Sequence, residues 1–407
     1  MTKTKRKIFW ITQKWPLPAD DGARRATYHL VKGLTAQGID LELCAIVPEG
    51  EKTDVAEAQR ALGPSKVHVV TRQPARHLSN LLLHPTIPLT FAPFAPLAVT
   101  RQIEAAIGDR KDLVVVFDGL HAAASVLTRP EALGANLRSL PKVYRAHNVE
   151  KNLWVLGARQ KKNPLASAFL RYQALLVGAF EKRVCELTKL TATVSDIDSE
   201  NFRLSYGGGF TTANTPIGID LDTRAARESF PRERKILFIG RLDWPPNRDG
   251  LKWFLENVWP EAVAAAPDLK LAIAGAGDGE WLKPFLGLPG ITFLGRVAEV
   301  APAYQDSIAS LVPVFFGSGT RVKAIEASSF ARPCISTAIG IEGIGLDPAT
   351  NYYNAETKED WLRVLKNLSI DDARKRGSSA FTLIQEKFDP IRVAGRLLEN
   401  LEKAIQS

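Results

Sequence analysis

Short apolar runs alternate with longer amphipathic stretches from one end of this chain to the other, and no other feature limits its fold so strongly. In the first half the runs are Lys7–Thr12, Leu41–Val47, Lys66–Val70, Asp112–Phe117, Lys142–Arg145 and Leu190–Val194. Runs this brief read as strands, and the stretches between them carry helical spacing. One such stretch, Ala23–Gln37, is closed by Gly38, where glycine is favoured just past a helix end. Strand and helix in strict alternation imply βαβ units around a parallel sheet.

A second series starts at Lys235–Ile239 and continues with Leu269–Ala274, Ile291–Leu294 and Ser310–Val314. Between the two series, Tyr206–Asp220 is rich in Gly, Thr and Pro and reads as a connector. The expected organisation is a Rossmann-like domain over 1–215, a linker over 216–233, a second Rossmann-like domain over 234–387 and a terminal helix over 388–407. Asp389-Pro390 gives that helix an N-cap and a proline at its first position. Two doubly wound domains of this kind are expected to hold ligand in a cleft at the carboxyl ends of their strands.

Composition agrees. The 407 residues are 45% hydrophobic and 24% charged, which excludes disordered, collagen-like and disulfide-scaffold chains. Cys44, Cys185 and Cys334 are too far apart for metal-ligand spacing and too few for a disulfide framework, which favours a reducing compartment. The net charge of +9 is spread along the chain, so anionic small molecules or an anionic membrane explain it as well as nucleic acid does. The start, MTKTKRKIFWIT, lacks the features of a secretion signal, and no window reaches the ~18 apolar residues of a spanning helix. A cytoplasmic location is expected, with peripheral attachment to the inner face of the plasma membrane as a second expectation.

The most informative stretch is FGSGTRVKAIE, Phe316–Glu326. A strand ends, glycines turn the chain and a helix begins, which is the arrangement that brings backbone amides to an anion. Lys323 and Glu326, three apart, share a helix face. An exposed salt bridge after a glycine turn would have the same spacing.

Together with KILFIGRLDWPPN, LKLAIAGAGDGEWL, ITFLGRV, NTPIGID and the N-terminal TQKWPLPADDGARRATYHLVKGL, this stretch resembles family 4 glycosyltransferases, whose fold is GT-B. The resemblance is strong over 234–345 and weaker between 50 and 140. It implies a nucleotide-diphosphate sugar as donor, UDP- or GDP-linked, with Glu326 holding the ribose. Gly319 and Thr320 would give amides to the diphosphate, and Arg241 a cation. Ser318 stands where the family usually has the first glutamate of a pair whose second is Glu326, a departure shared by a subgroup reading GSGTR.K..EA. The family's lysine after the GRL motif is missing here, and Lys323 is preferred to Arg248 as its substitute. Arg296 and Val297 match the loop that meets the base, and Gly22 the glycine whose loop nears the phosphates. His147, in YRAHNVE, matches a histidine that hydrogen-bonds the donor sugar, with Arg145 and Glu150 orienting its loop. Arg241, Lys323 and His147 would thus carry catalysis by front-face, retaining transfer.

Other features read more plainly. Asp196-Ile197-Asp198 spells a D-x-D, yet its place after a strand favours helix capping over metal binding, and no essential metal or cofactor is expected. Asp21 and Arg25 face an acceptor or cap a helix, and His121 is a weaker acceptor-side candidate. Leu78–Val99 is apolar but broken by four prolines, and Arg159–Arg183 mixes basic and apolar residues. Both are candidates for an anionic lipid surface, or else for ordinary packing. The expected partners are the donor and a glycan or lipid-linked acceptor, without nucleic acid, in bacterial surface polysaccharide or glycolipid synthesis. The rivals are a hydrolysing sugar-nucleotide epimerase, a nicotinamide-dependent dehydrogenase and a non-catalytic nucleotide or polyanion binder.

Overall fold

A computed structural model describes residues 7–19, 22–73, 86–159, 161–219, 221, 228, 230–317 and 321–406. The chain divides into two compact units, one of residues 1–218 with 390–407 and one of 219–389. Each is built on a parallel sheet.

In the first unit the strands are β1 (Lys7–Thr12), β2 (Leu41–Pro48), β3 (Lys66–Arg72), β4 (Leu113–Asp118), β5 (Lys142–Arg145), β6 (Leu190–Thr193) and β7 (Thr212–Asn214). Their order is β3-β2-β1-β4-β5-β6-β7, and every described pairing is parallel. In the second unit β8 (Lys235–Ile239), β9 (Lys270–Ala274), β10 (Ile291–Gly295), β11 (Ala309–Val312), β12 (Cys334–Ser336) and β13 (Tyr353–Asn354) follow the order β10-β9-β8-β11-β12-β13. Apolar runs such as Phe9-Trp10-Ile11 and Val114–Phe117 are buried on both faces because helices cover both sides of each sheet. In each sheet the winding reverses beside the first strand, between β1 and β4 and between β8 and β11. A crevice opens at such a switch point, outside the carboxyl ends of the strands.

The terminal helix Pro390–Gln406 packs on the first unit, where Val393, Ala394, Leu397 and Leu401 join the core under helix Gly22–Ala36. Gly33 makes that approach possible. A Cβ there would lie 2.4 Å from the Pro390 carbonyl oxygen, a backbone atom that cannot swing aside. Gly33→Ala is therefore expected to destabilise by about 1–3 kcal/mol of overpacking, which outweighs the usual helix gain of alanine. A lowered denaturant midpoint at constant slope checks this; a raised midpoint contradicts it.

Candidate functional site

The second unit gathers several residues singled out in the sequence at its switch point. After β8 the chain runs through Gly240-Arg241-Leu242-Asp243, and this loop is fixed against the end of β9. Gly240 N–H donates to the Ala274 carbonyl (3.1 Å), Leu242 N–H to that of Ala276 (2.8 Å), and Trp281 Nε1 to that of Leu242 (3.0 Å). Two glycines permit the contact. A Cβ on Gly275 would stand 2.3 Å from the Gly240 oxygen; one on Gly277 would stand 2.4 Å from Asp243 Oδ1, and Gly277 also has φ +95°. The glycines of GAGDG thus make room for a neighbouring loop.

Helix Pro245–Asn257 leaves this loop, and Asn247 ties it to the helix after β11. Its Nδ2 donates to the Arg241 carbonyl (2.9 Å), and its Oδ1 accepts from Lys323 Nζ (2.5 Å). Lys323, on helix Val322–Ser329, also lies over the Phe238 ring at 4.9 Å. No carboxylate pairs with its ammonium among the described residues. Burial, and then the Arg321 guanidinium, bring its pKa down to about 7. A cation held without a counter-charge beside a helix start is prepared for an anion. Arg321, the N-cap of that helix, gives no capping side-chain bond, and its carbonyl takes the amides of Ala324 (2.9 Å) and Ile325 (3.3 Å).

One turn on, Glu326 is buried and accepts from the Tyr304 hydroxyl at 3.3 Å, while Tyr304 stacks on Phe330 with centroids 4.6 Å apart. Arg241 is exposed and forked onto Asp243 (2.6 and 3.0 Å), and Arg248 pairs with Asp249. Arg296 is exposed and Val297 half-buried just past β10, whose Gly295 carbonyl accepts from Gly275 N–H at 2.8 Å. Arg241, Asn247, Lys323, Glu326 and the β10 loop therefore belong to one end of one sheet. Ser318, Gly319 and Thr320 lie outside the described residues. Asn247 and Tyr304 escaped sequence reasoning, the first because it sits where the motif's lysine was sought.

The first unit has its own polar cluster at its own switch point. Asp118, fully buried at the end of β4, accepts from Trp10 Nε1 (3.1 Å), from the Thr27 hydroxyl and from His147 Nε2 (2.8 Å), and Arg145 Nη1 stands at 3.4 Å. Burial alone would raise its pKa, but the His147, Arg145 and Thr27 contacts together hold it at about 2. Arg145 Nη1 lies 3.2 Å from His147 Nδ1, so both ring nitrogens are engaged within this unit. A hydrogen bond from His147 to a sugar requires one of these contacts to be given up. Asp118, the anchor of the cluster, carried no motif signal. Gly22 opens helix Gly22–Ala36 with nothing within 4 Å of a Cβ, and Arg25 Nε donates to the Ala19 carbonyl (3.2 Å); Asp21 lies outside the described residues.

The loop that carries His147 is secured from behind. Glu181, buried on helix Pro164–Leu187, accepts from the Tyr144 hydroxyl (3.0 Å), the Tyr206 hydroxyl (2.5 Å), Glu150 N–H (3.2 Å) and Lys151 N–H (3.4 Å). Burial, and then the Glu181 charge, raise the pKa of Glu150 to about 8, so it stands beside the clamp as a neutral acid. His121 packs edge-on against Phe91 and Phe94, and burial takes it down to about 4. That is a packed, neutral histidine. At the start of helix Asp196–Tyr206, Ser195 Oγ accepts from Asp198 N–H (3.0 Å) and donates to Asp198 Oδ2 (2.6 Å), so Ser195 is the cap and the D-x-D supplies first-turn charge. Of Leu78–Val99, residues 78–85 lie outside the described set, while Phe91 and Phe94 are buried in the core.

Comparison with known proteins bears on the second unit first. Residues 233–367 match the family model described as Glycosyl transferases group 1. This group 1 match covers about a third of the chain. An uncharacterized 44.6 kDa protein in the cps region of Klebsiella pneumoniae is 29% identical over 168 residues, 39% of this chain and 43% of that protein. A phosphatidyl-myo-inositol mannosyltransferase of Mycobacterium tuberculosis is 27% identical over 214 residues, 48% of this chain and 54% of that protein. The chain thus spans about half the length of the curated relatives it matches.

Solved structures extend the likeness of fold to nearly the whole chain. Anabaena Alr3699/HepE in complex with UDP has a TM-score of 0.67 at 13% identity, covering 98% of this chain and 100% of that one. A Staphylococcus aureus TarM mutant in complex with Fondaparinux, alpha-GlcNAc-glycerol and UDP has 0.68 at 11% identity, covering 97% and 99%. The fold is GT-B.

The Asp118 cluster yields a stability prediction. The Arg145 guanidinium is fully buried, and its Nε and Nη2 have no partner among the described residues, so Asp118 carries its compensation. Asp118→Asn is expected to cost roughly 3–5 kcal/mol by leaving that cation unpaired. Because the folded pKa lies below the ordinary carboxylate value, the wild-type contribution is complete above about pH 4 and fades as pH falls towards 2. Unfolding curves between pH 2 and 7 are expected to show the variant's deficit shrinking over that window. A deficit unchanged by acid contradicts the assignment.

Proposed function

We propose that the chain is a retaining glycosyltransferase of family 4 that moves a hexose from a UDP- or GDP-sugar to a hydroxyl of a glycan or lipid-linked acceptor, in surface polysaccharide or glycolipid synthesis. The observation that carries this reading is the Lys323 ammonium, held on Asn247 at the β8–β11 switch point with no carboxylate partner among the described residues, one turn before Glu326. A nucleoside diphosphate supplies the missing negative charge. The group 1 match over this unit, the mannosyltransferase relative and the UDP complexes of the two fold neighbours support it.

In this reading the second unit takes the donor and the first unit the acceptor. Glu326, oriented by Tyr304, accepts from ribose hydroxyls. Val297 and the Arg296 backbone border the base. Arg241 exchanges Asp243 for a phosphate oxygen, and Lys323 takes up a proton as the diphosphate arrives. The resemblance assigns the amides of Gly319 and Thr320, after Ser318, to the diphosphate.

As the bond to the leaving diphosphate lengthens, charge grows on its oxygens, and these fixed cations stabilise it more than they stabilise the ground state. The acceptor hydroxyl attacks from the face the diphosphate leaves, and its proton passes to a leaving phosphate oxygen. Configuration is thereby retained without a protein nucleophile or a metal. His147 turns Nδ1 from Arg145 to a sugar hydroxyl, while Nε2–H keeps its bond to Asp118.

Calorimetry with UDP and GDP tests the donor site. One of them is expected to bind, with proton uptake at pH 8 because an anion restores the Lys323 charge that burial suppresses. Lys323→Met is expected to abolish the uptake and weaken binding at least about tenfold, the value of one charge-assisted contact. His147→Ala is expected to spare nucleotide affinity and lower turnover. Binding without proton uptake, or transfer rates unchanged in both variants, contradicts the reading.

A further inference from the structure

Helices Glu150–Arg159 and Pro164–Leu187 form an antiparallel hairpin. A Cβ on Gly178 would meet the Lys151 side chain at 2.8 Å, and one on Gly157 would reach Leu170 at 4.0 Å, so the two helices run closely along each other. The Glu181 clamp fixes the base of the hairpin. Its tip carries Arg159, Lys161 and Lys162, all exposed.

The inward side of the longer helix buries Ala174, Val177, Val184 and Cys185. Its outward side is apolar too: Leu165 is 81% exposed, Phe169 48%, Tyr172 47% and Leu175 66%. Steps of four, three and three residues place these four on one face. No other described helix exposes more than two large apolar side chains. Arg171, Lys182 and Arg183 flank the face, and Glu186 is the one exposed acid of the hairpin.

We infer that the outward face of helix Pro164–Leu187, together with the basic tip of the hairpin, docks on an anionic lipid bilayer. An apolar stripe bordered by cations suits the boundary between acyl chains and anionic headgroups, where lysine and arginine keep their charge in water while their stems lie on lipid. Among the described residues no helix is long and apolar enough to cross a membrane, so the helix lies on the surface. The inference deepens the function proposed above and rests on its lipid-linked acceptor, because Glu181 joins the docked hairpin to the loop bearing His147.

Co-sedimentation of the full chain with vesicles of phosphatidylcholine, with and without phosphatidylglycerol, tests it. The wild type is expected to sediment with the anionic vesicles and to be released by high salt. Lys161→Glu with Lys162→Glu, and separately Phe169→Ser with Leu175→Ser, are expected to weaken this at least about tenfold. All four sites are exposed, and unchanged melting curves verify folding.

Equal binding to both vesicle types, or variants that bind like the wild type, overturns the inference. So does a dimer seen by light scattering that the Phe169→Ser, Leu175→Ser variant breaks while vesicles are ignored, because the face then covers a second copy. Nucleotide binding is measured on the same samples. Its absence would count against the donor site and leave the vesicle result standing.

Discussion

In both sheets the first strand to be made sits near the middle, with later strands added on either side. Everything else at the candidate site follows from that winding. It sends the connections after β1 and β4, and after β8 and β11, to opposite faces, so neither covers the strand ends between them. Thr12, Asp118 and the loop after β5 gather at one such opening, Gly240 and Lys323 at the other. The gap is kept tight by absent side chains. Gly275 and Gly277 let the GRLD loop lie on the end of β9, and Gly250 lets helix Pro245–Asn257 press on the Pro313 carbonyl, which a Cβ would meet at 1.6 Å.

The two openings treat buried charge in opposite ways. Arg145 is compensated inside the protein by Asp118, which also binds Trp10, Thr27 and His147, so that cluster is a finished structural unit. Lys323 has an amide oxygen and an aromatic ring for company but no carboxylate among the described residues. A charge left uncompensated costs stability, and a ligand of opposite sign returns it. That contrast is the reason the second opening, and not the first, is the one proposed for an anion.

Much of this was legible in the sequence. The long apolar runs marked β1, β2, β4, β8 and β9 because strands buried on both faces leave unbroken Val, Ile and Leu. The Asp-Pro pair marked the start of the last helix. By contrast, β7, β12 and β13 are two or three residues long, too short to carry a period, and β7 was hidden in a stretch that read as a connector. Motif spacing pointed to Lys323, Glu326 and Arg241 but not to their supports. Asn247, Tyr304, Asp118 and Glu181 act through contacts made 22 to 108 positions away. Contacts at that range leave no local pattern. The Asp243 that holds Arg241 was visible two residues on, yet its role depends on side-chain geometry.

The central claim is that a nucleoside diphosphate sits on the second unit at the β8–β11 opening. Amide hydrogen exchange with and without saturating UDP or GDP tests it most directly, because bound phosphate slows exchange only where it ties backbone down. The account predicts protection confined to peptides covering 240–248, 294–298 and 317–330. Protection elsewhere with these segments unchanged, or none under saturating ligand, would contradict it.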